Sequence, residues 1–339
     1  MTELPPDNQW SYFFPYMKET QYRSTIRNPE TARMVAEALV PSGSRDKIII
    51  EAYPGAGLLT RALLALPKRR IKKLIVIEDA IKFIPFLKPL EGLDSRVKVI
   101  TKAGKQWTTY ADMENDGDLD EVSTSSWDEP NNQLQFIMQV ALDTHGEQLI
   151  AQLLRAMPDR QWLFKYGRIP MNLVLTERMW ERIKAPADTL ARCKVSVMGQ
   201  AVATFQENVP PEALQPHGDH FFPYRAGAIP LSEVVVTITP RANSVIPPGD
   251  LDLWDYCLRK LFVMRATPLE KCIGGLGPGA KNILPKLTDP SLPEDQRVDI
   301  EKSPRRLDIR EWALIINAFK NWPFRPTDLS IETFSASRH

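Results

Sequence analysis

The stretch KIIIEAYPGAGLLTRALL, Lys47 to Leu64, constrains the fold more than any other part of the chain. Three isoleucines run into an acid, Glu51. The turn that follows carries Gly55 and Gly57 and leads into an apolar, helix-forming run. A buried strand, a glycine turn and a helix, in that order, form the unit by which a Rossmann-type sheet presents backbone N–H groups to a nucleoside at a helix start. Tyr53 stands where such turns usually place their first glycine. A phenol ring at that close-approach position must point elsewhere or fill the pocket.

The neighbouring segments extend the pattern. NPETARMVAEALV reads as an amphipathic helix, with Asn28 as its cap and Pro29 in its first turn. KKLIVIED and RVKVI read as the second and third buried strands, and IKFIPFLKPL between them as a helix broken by prolines. Strand and helix alternating in this way make the first half of a doubly wound α/β sheet. LQFIMQVAL continues the sheet, followed by helices in EQLIAQLLRAM and ERMWERIKA. KVSVMGQAVATFQEN and SEVVVTITP alternate apolar and polar residues and are expected as strands at the far edge. Thr109 to Gln133, acidic and polar, is expected as a surface loop.

Thr239 to Asp250, TPRANSVIPPGD, has three prolines and little to bury, and is read as the domain boundary. The expected organisation is a Rossmann-like domain over 1–240, a linker over 241–250, a small helical domain over 251–325 and a flexible tail over 326–339. Trp322 and Phe324 are expected to anchor the last helix of the second domain.

With 339 residues, 43% of them hydrophobic, the chain can bury a large core. The three cysteines, Cys193, Cys257 and Cys272, lie far apart, which points to a reducing compartment rather than a disulfide framework. No apolar run approaches the roughly 20 residues of a membrane span, so no membrane partner is expected. MTELPPDNQW resembles neither a secretory signal nor an Arg-rich presequence. The net charge of +1 hides an asymmetry: 14 basic and 6 acidic residues lie between Arg45 and Tyr110, against 2 basic and 11 acidic between Ala111 and Arg160. Either this is ordinary surface variation, or the first region presents a basic face to a polyanion.

Backbone N–H groups near Gly55 and Gly57 would face a nucleoside. Glu78, at the end of the second strand, would accept the hydroxyls of a ribose. In enzymes that methylate an exocyclic base nitrogen, an Asn/Asp-Pro-Pro-Tyr-like turn follows the fourth strand. Here that place reads VALDTHGEQ, with neither proline nor aromatic, and Asp143 is either a base or a loop carboxylate. Two cationic groups are candidate phosphate contacts: Arg69, Arg70, Lys72 and Lys73 in PKRRIKKL, and Arg259, Lys260 and Arg265 further on. His217 and His220 lack a third ligand nearby and are read as a loop pair, not a metal site. GGLGPG lacks the Lys-Ser/Thr of a phosphate loop.

EAYPGAGLLTRAL, LIVIED, SVMGQAVATF and HFFPYRAGAIPLSEVVVTITP, followed by a small helical domain, resemble the rRNA adenine N6,N6-dimethyltransferases. YPGAG, QWLFKYGRIPMNLVL, WDYCLRKLFVMRATPL and FKNWPFRP are similar to the fungal mitochondrial transcription factor B branch of that family. The resemblance implies a Rossmann-like S-adenosylmethionine-dependent methyltransferase fold with a small C-terminal helical domain. It also implies that the chain departs from an active enzyme. YRSTIRNPE stands where a Gly-Gln-Asn-Phe-like segment is expected. Ala103 or Gly104 stands where an Asp would contact the cofactor adenine, and the Asn-Leu-Pro-Tyr turn is missing. Gly55, Gly57 and Glu78 alone carry over, as vestigial cofactor positions. The resemblance then implies a mitochondrial transcription initiation factor of the matrix that needs no cofactor. Its partners would be the single-subunit mitochondrial RNA polymerase and promoter DNA, with rRNA a further candidate, and the opened strand would lie in a basic groove between the domains. The alternative is an active rRNA adenine dimethyltransferase using S-adenosylmethionine.

Overall fold

The structure is a computed structural model that describes residues 3–223 and 231–329. Among the described residues nine strands are defined: β1 (Thr25–Ile26), β2 (Lys47–Ala52), β3 (Ile71–Ile77), β4 (Val97–Ile100), β5 (Leu134–Gln139), β6 (Met171–Thr176), β7 (Ala203–Val209), β8 (Phe221–Phe222) and β9 (Glu233–Pro240). Seven of them form one sheet in the order β4-β3-β2-β5-β6-β9-β7. β4 through β6 run parallel, and β9 is antiparallel to both β6 and β7. β1 and β8 pair separately.

Ile48, Ile49 and Ile50 of β2 are fully buried, as a central parallel strand covered on both faces requires. The Pro29–Leu39 helix begins where Asn28 Oδ1 accepts the N–H groups of Glu30 (2.8 Å) and Thr31 (3.3 Å). The Leu58–Ala65 helix starts directly from Gly57, whose φ of +83° favours glycine. The strand order reverses between β2 and β5. The crevice beyond the carboxyl ends of those strands is where a sheet of this kind holds its ligand.

Two expectations give way here. Lys194–Val202, expected as strand, is helical, and the strand begins only at Ala203. Ser196 starts that helix: its hydroxyl accepts the Cys193 N–H at 3.0 Å and donates to the Arg182 carbonyl. The acidic stretch is not all loop either. Trp107–Asn115 is a helix that buries Thr109, Tyr110 and Met113 at helical spacing.

The chain divides into two compact units, one of 1–180 with 203–242 and one of 181–202 with 243–339. Residues 181–202, placed by the sequence reading in the first domain, therefore group with the second unit. In that unit the Leu251–Leu261 and Ile309–Lys320 helices stack Tyr256 on Phe319, with ring centroids 5.5 Å apart. Asp308 and Glu311 close a capping box on the second helix. Arg192, 1% exposed, donates to the carbonyls of Ala185 (2.9 Å) and Leu307 (3.1 Å). Lys194 pairs with Asp255 at 2.5 Å. Trp322 is buried but Phe324 is 77% exposed, so only the tryptophan anchors the end of the last helix. Of the expected tail, 330–339 lie outside the described residues. Leu329 offers its carbonyl to Arg259 Nη2 at 3.1 Å.

Candidate functional site

Glu78 follows β3 and is completely buried. Its Oε1 accepts Arg23 Nη1 (2.8 Å) and the backbone N–H groups of Asp79 (3.0 Å) and Ala80 (2.9 Å). Its Oε2 accepts Arg23 Nη2 (2.5 Å) and the Gly55 N–H (3.2 Å). A carboxylate has about four lone-pair positions. Five donors already converge on this one, which leaves none for a diol. Gly55 and Glu78 are brought together, and they bond to each other.

Arg23 lies 4.5 Å from the centroid of the Tyr53 ring and 5.6 Å from that of Phe83. Burial alone would lower the pKa of its guanidinium, but the Glu78 and Asp79 carboxylates outweigh burial and raise it. Tyr53 has φ of +58°, a left-handed conformation in which a glycine would be at ease. Its hydroxyl accepts the Lys105 N–H at 3.0 Å, and burial pushes its phenol up to about 12. A Cβ on Gly104 would lie 3.0 Å from Ala52 Cβ and 3.4 Å from Tyr53 Cε2. The Tyr53 ring and Ala52 thus leave little room for a larger side chain at Gly104.

β1 roofs the glycine turn. Thr25 Oγ1 donates to the Pro54 carbonyl at 3.1 Å, and the Ile26 N–H to Gln139 Oε1 at 3.1 Å. A Cβ on Gly55 would fall 2.1 Å from Thr25 Oγ1. Glu51, beneath the turn, accepts the Thr60 hydroxyl at 2.7 Å, and burial pushes its carboxyl up to about 7.

Beside this plug a cleft of about 540 Å³ is lined by Tyr22, Tyr53, Asp79, Lys105, Gln139 and Asp143, among others. Asp143 caps the Thr144–Ala156 helix, accepting the His145 N–H at 3.1 Å and standing 2.6 Å from its Nδ1. Both oxygens of Asp143 face His145, so the loop-carboxylate alternative fits this geometry. His217 meets Glu233 at 2.9 Å and His220 meets Thr31 at 2.6 Å, so the two histidines turn to different partners. Among the described residues no cluster of potential metal ligands occurs.

The cationic candidates separate by burial. Arg70 is 7% exposed and spans Glu37 (2.6 Å) and the Val40 carbonyl (3.0 Å); it is a packing residue with no face left for a phosphate. Arg69 is exposed. Lys72 pairs with Glu121 at 2.6 Å, and Lys73 donates to the Asp118 carbonyl at 2.8 Å. In the second unit Lys260 and Arg265 are exposed, and Arg259 is half-buried beside Asp255.

Arg23, the central residue of the site, has no signal in the sequence. It is 55 positions from its partner, and only the need of a buried carboxylate for a cation could have prompted a search.

Residues 18–313 match the description of the family ribosomal RNA adenine dimethylase. The chain belongs to that family. It is 24% identical over 265 residues to "Mitochondrial transcription factor 1" of Lachancea kluyveri, covering 75% of each chain. It is 23% identical to "Dimethyladenosine transferase 1, mitochondrial" of Vermamoeba vermiformis, covering 83% of this chain and 84% of that one. A dimethyladenosine transferase structure from Plasmodium falciparum superposes with a TM-score of 0.58 at 16% identity, over 87% of this chain and 97% of that one. The α/β architecture is accordingly the Rossmann-like fold of S-adenosylmethionine-dependent methyltransferases. The cofactor that this fold implies does not suit the residues present. Its ribose would need the Glu78 oxygens that Arg23 and Gly55 hold.

Proposed function

We propose that this dimethylase-family chain works as a mitochondrial transcription initiation factor and not as a methyltransferase. In this reading it sits in the matrix, joins the single-subunit mitochondrial RNA polymerase, confers promoter specificity and helps to hold the opened strand. The observation that carries it is the Arg23–Glu78 pair under Tyr53, which spends the cofactor's ribose contact on the protein's own chain. Asp143, the polar group nearest the acceptor place, caps a helix, and the fourth strand leads into no Pro-Tyr turn. Positioning supplies much of the rate in such chemistry, and these residues offer little of it. Relatives bearing the name mitochondrial transcription factor 1 agree with this choice.

Run-off transcription with the cognate polymerase on duplex and pre-melted promoters tests the reading. The factor should be needed on duplex DNA and needed less once the DNA is open. Calorimetry should find no S-adenosylmethionine binding tighter than about 1 mM, near 4 kcal/mol. Micromolar binding with methyl transfer to rRNA would establish the dimethyltransferase instead.

A further inference from the structure

The charge asymmetry of the sequence becomes a contact in the fold. Lys72 and Lys73 lie on β3, and Lys98 lies on the adjoining edge strand β4, opposite Ile75. Lys102 follows β4. All four turn to one contiguous acidic stretch, 112–121. Lys72 meets Glu121 (2.6 Å), Lys98 meets Asp118 (2.5 Å), Lys102 meets Asp112 (2.7 Å), and Lys73 takes the Asp118 carbonyl (2.8 Å). Lys165 joins them through Glu114 at 2.5 Å.

Asp118 shows the arrangement best. Its side chain is 5% exposed, and two ammonium groups converge on it, one at the carboxylate and one at the backbone oxygen. A phosphodiester offers two non-bridging oxygens to just such a pair. Asp118 Oδ2 is buried without a partner among the described residues. The Lys72–Glu121 and Lys102–Asp112 pairs are half in solvent, where ion pairs are weak and salt-sensitive. Their side chains can therefore yield the lysines to another polyanion while Met113 and Leu119, both buried, keep the segment in place.

We propose that the acidic side chains of residues 112–121 are an intramolecular competitor for nucleic-acid phosphates, pairing lysines on and beside the β3–β4 edge that bind the nucleic-acid backbone when those pairs open. The proposal rests on the nucleic-acid reading above. Its test uses the full chain without polymerase, so its failure is separable from a failure in run-off transcription.

The variant D112N/E114Q/E121Q should bind oligothymidylate more tightly at low salt, by about tenfold. The slope of log affinity against log salt should steepen by about two units, near 0.7 for each of Lys72, Lys102 and Lys165 uncovered. The two affinities should converge at high salt. Adding K72Q and K102Q should remove most of this gain, yet change little in the unmodified chain. Glu114 also accepts the Tyr166 hydroxyl at 3.0 Å; should its loss disturb folding, D112N/E121Q alone should still steepen the slope by more than one unit. A control, E212Q/E294Q/D295N, removes the same charge elsewhere. An unchanged slope, or an equal gain in the control, overturns the proposal.

Discussion

At the glycine turn, Arg23 grips a carboxylate with no exposed surface, through two bonds of 2.8 and 2.5 Å, and its own side chain is 13% exposed. At the β3–β4 edge, Lys72 and Glu121 meet at 2.6 Å with 45% and 50% of their side chains in solvent. The distances are similar and the energetics are not. A buried pair has lost its water, so either partner left alone faces the full desolvation cost. An exposed pair exchanges one set of water contacts for another and is screened by salt. Burial, not bond length, decides which replacement of a ligand by the chain's own residues is permanent.

The largest expected effect breaks the buried pair. Arg23→Ala leaves Glu78 with three backbone N–H donors and no cation. It should cost about 3 kcal/mol, at the low end of what breaking a buried ion pair costs. Denaturant unfolding reads this, and the loss should persist in high salt. A loss well under 1 kcal/mol would erase the contrast with the lysine edge.

Glu51 sharpens the comparison as a buried carboxylate beside Glu78, with the Arg61 charge too weak to offset its burial. Burial pushes it up to about 7, against the bond from Thr60. Between its unfolded value of 4.5 and that point, the native state binds more protons than the unfolded chain. Stability must therefore fall as pH rises through the window. Glu51→Gln should remove that slope, matching the unmodified chain near pH 4 and exceeding it by about 3 kcal/mol near pH 8. Unfolding curves at a series of pH values check it, and parallel pH profiles for the two proteins would contradict it.

The smallest expected effect is at the edge. Lys72→Gln should leave the denaturation midpoint where it was, at low and high salt alike. A clear drop would mean that the pair with Glu121 supports the fold, and the two regions would no longer differ in kind.

Much of the first unit could be read before the fold was known, because its signals are local. The isoleucines of β2, the Asn28 cap and Gly57 at a helix start each act within a few residues. The Lys194–Val202 helix is hidden in the sequence because Val195, Val197, Gly199 and Ala201 imitate alternation, and the burial of Ser196 and Met198 between them shows only in the fold. The Trp107–Asn115 helix was hidden by its acids, although Tyr110 and Met113 held the period. At the site, Glu78 and the glycines were legible from spacing, whereas Arg23 was not. A long-range ion pair leaves no periodicity, and either partner alone reads as surface charge.

The chain crosses between its two units three times, after Trp180, Val202 and Ala242. No single cut in the gene can therefore yield the helical unit intact. A fragment starting at 243 would strip Asp255 of Lys194 and Leu307 of the Arg192 guanidinium. Anyone dissecting this protein into expressible pieces must carry 181–202 along on an artificial tether, and a proteolytic nick in that stretch would damage the unit that the linear sequence places after it.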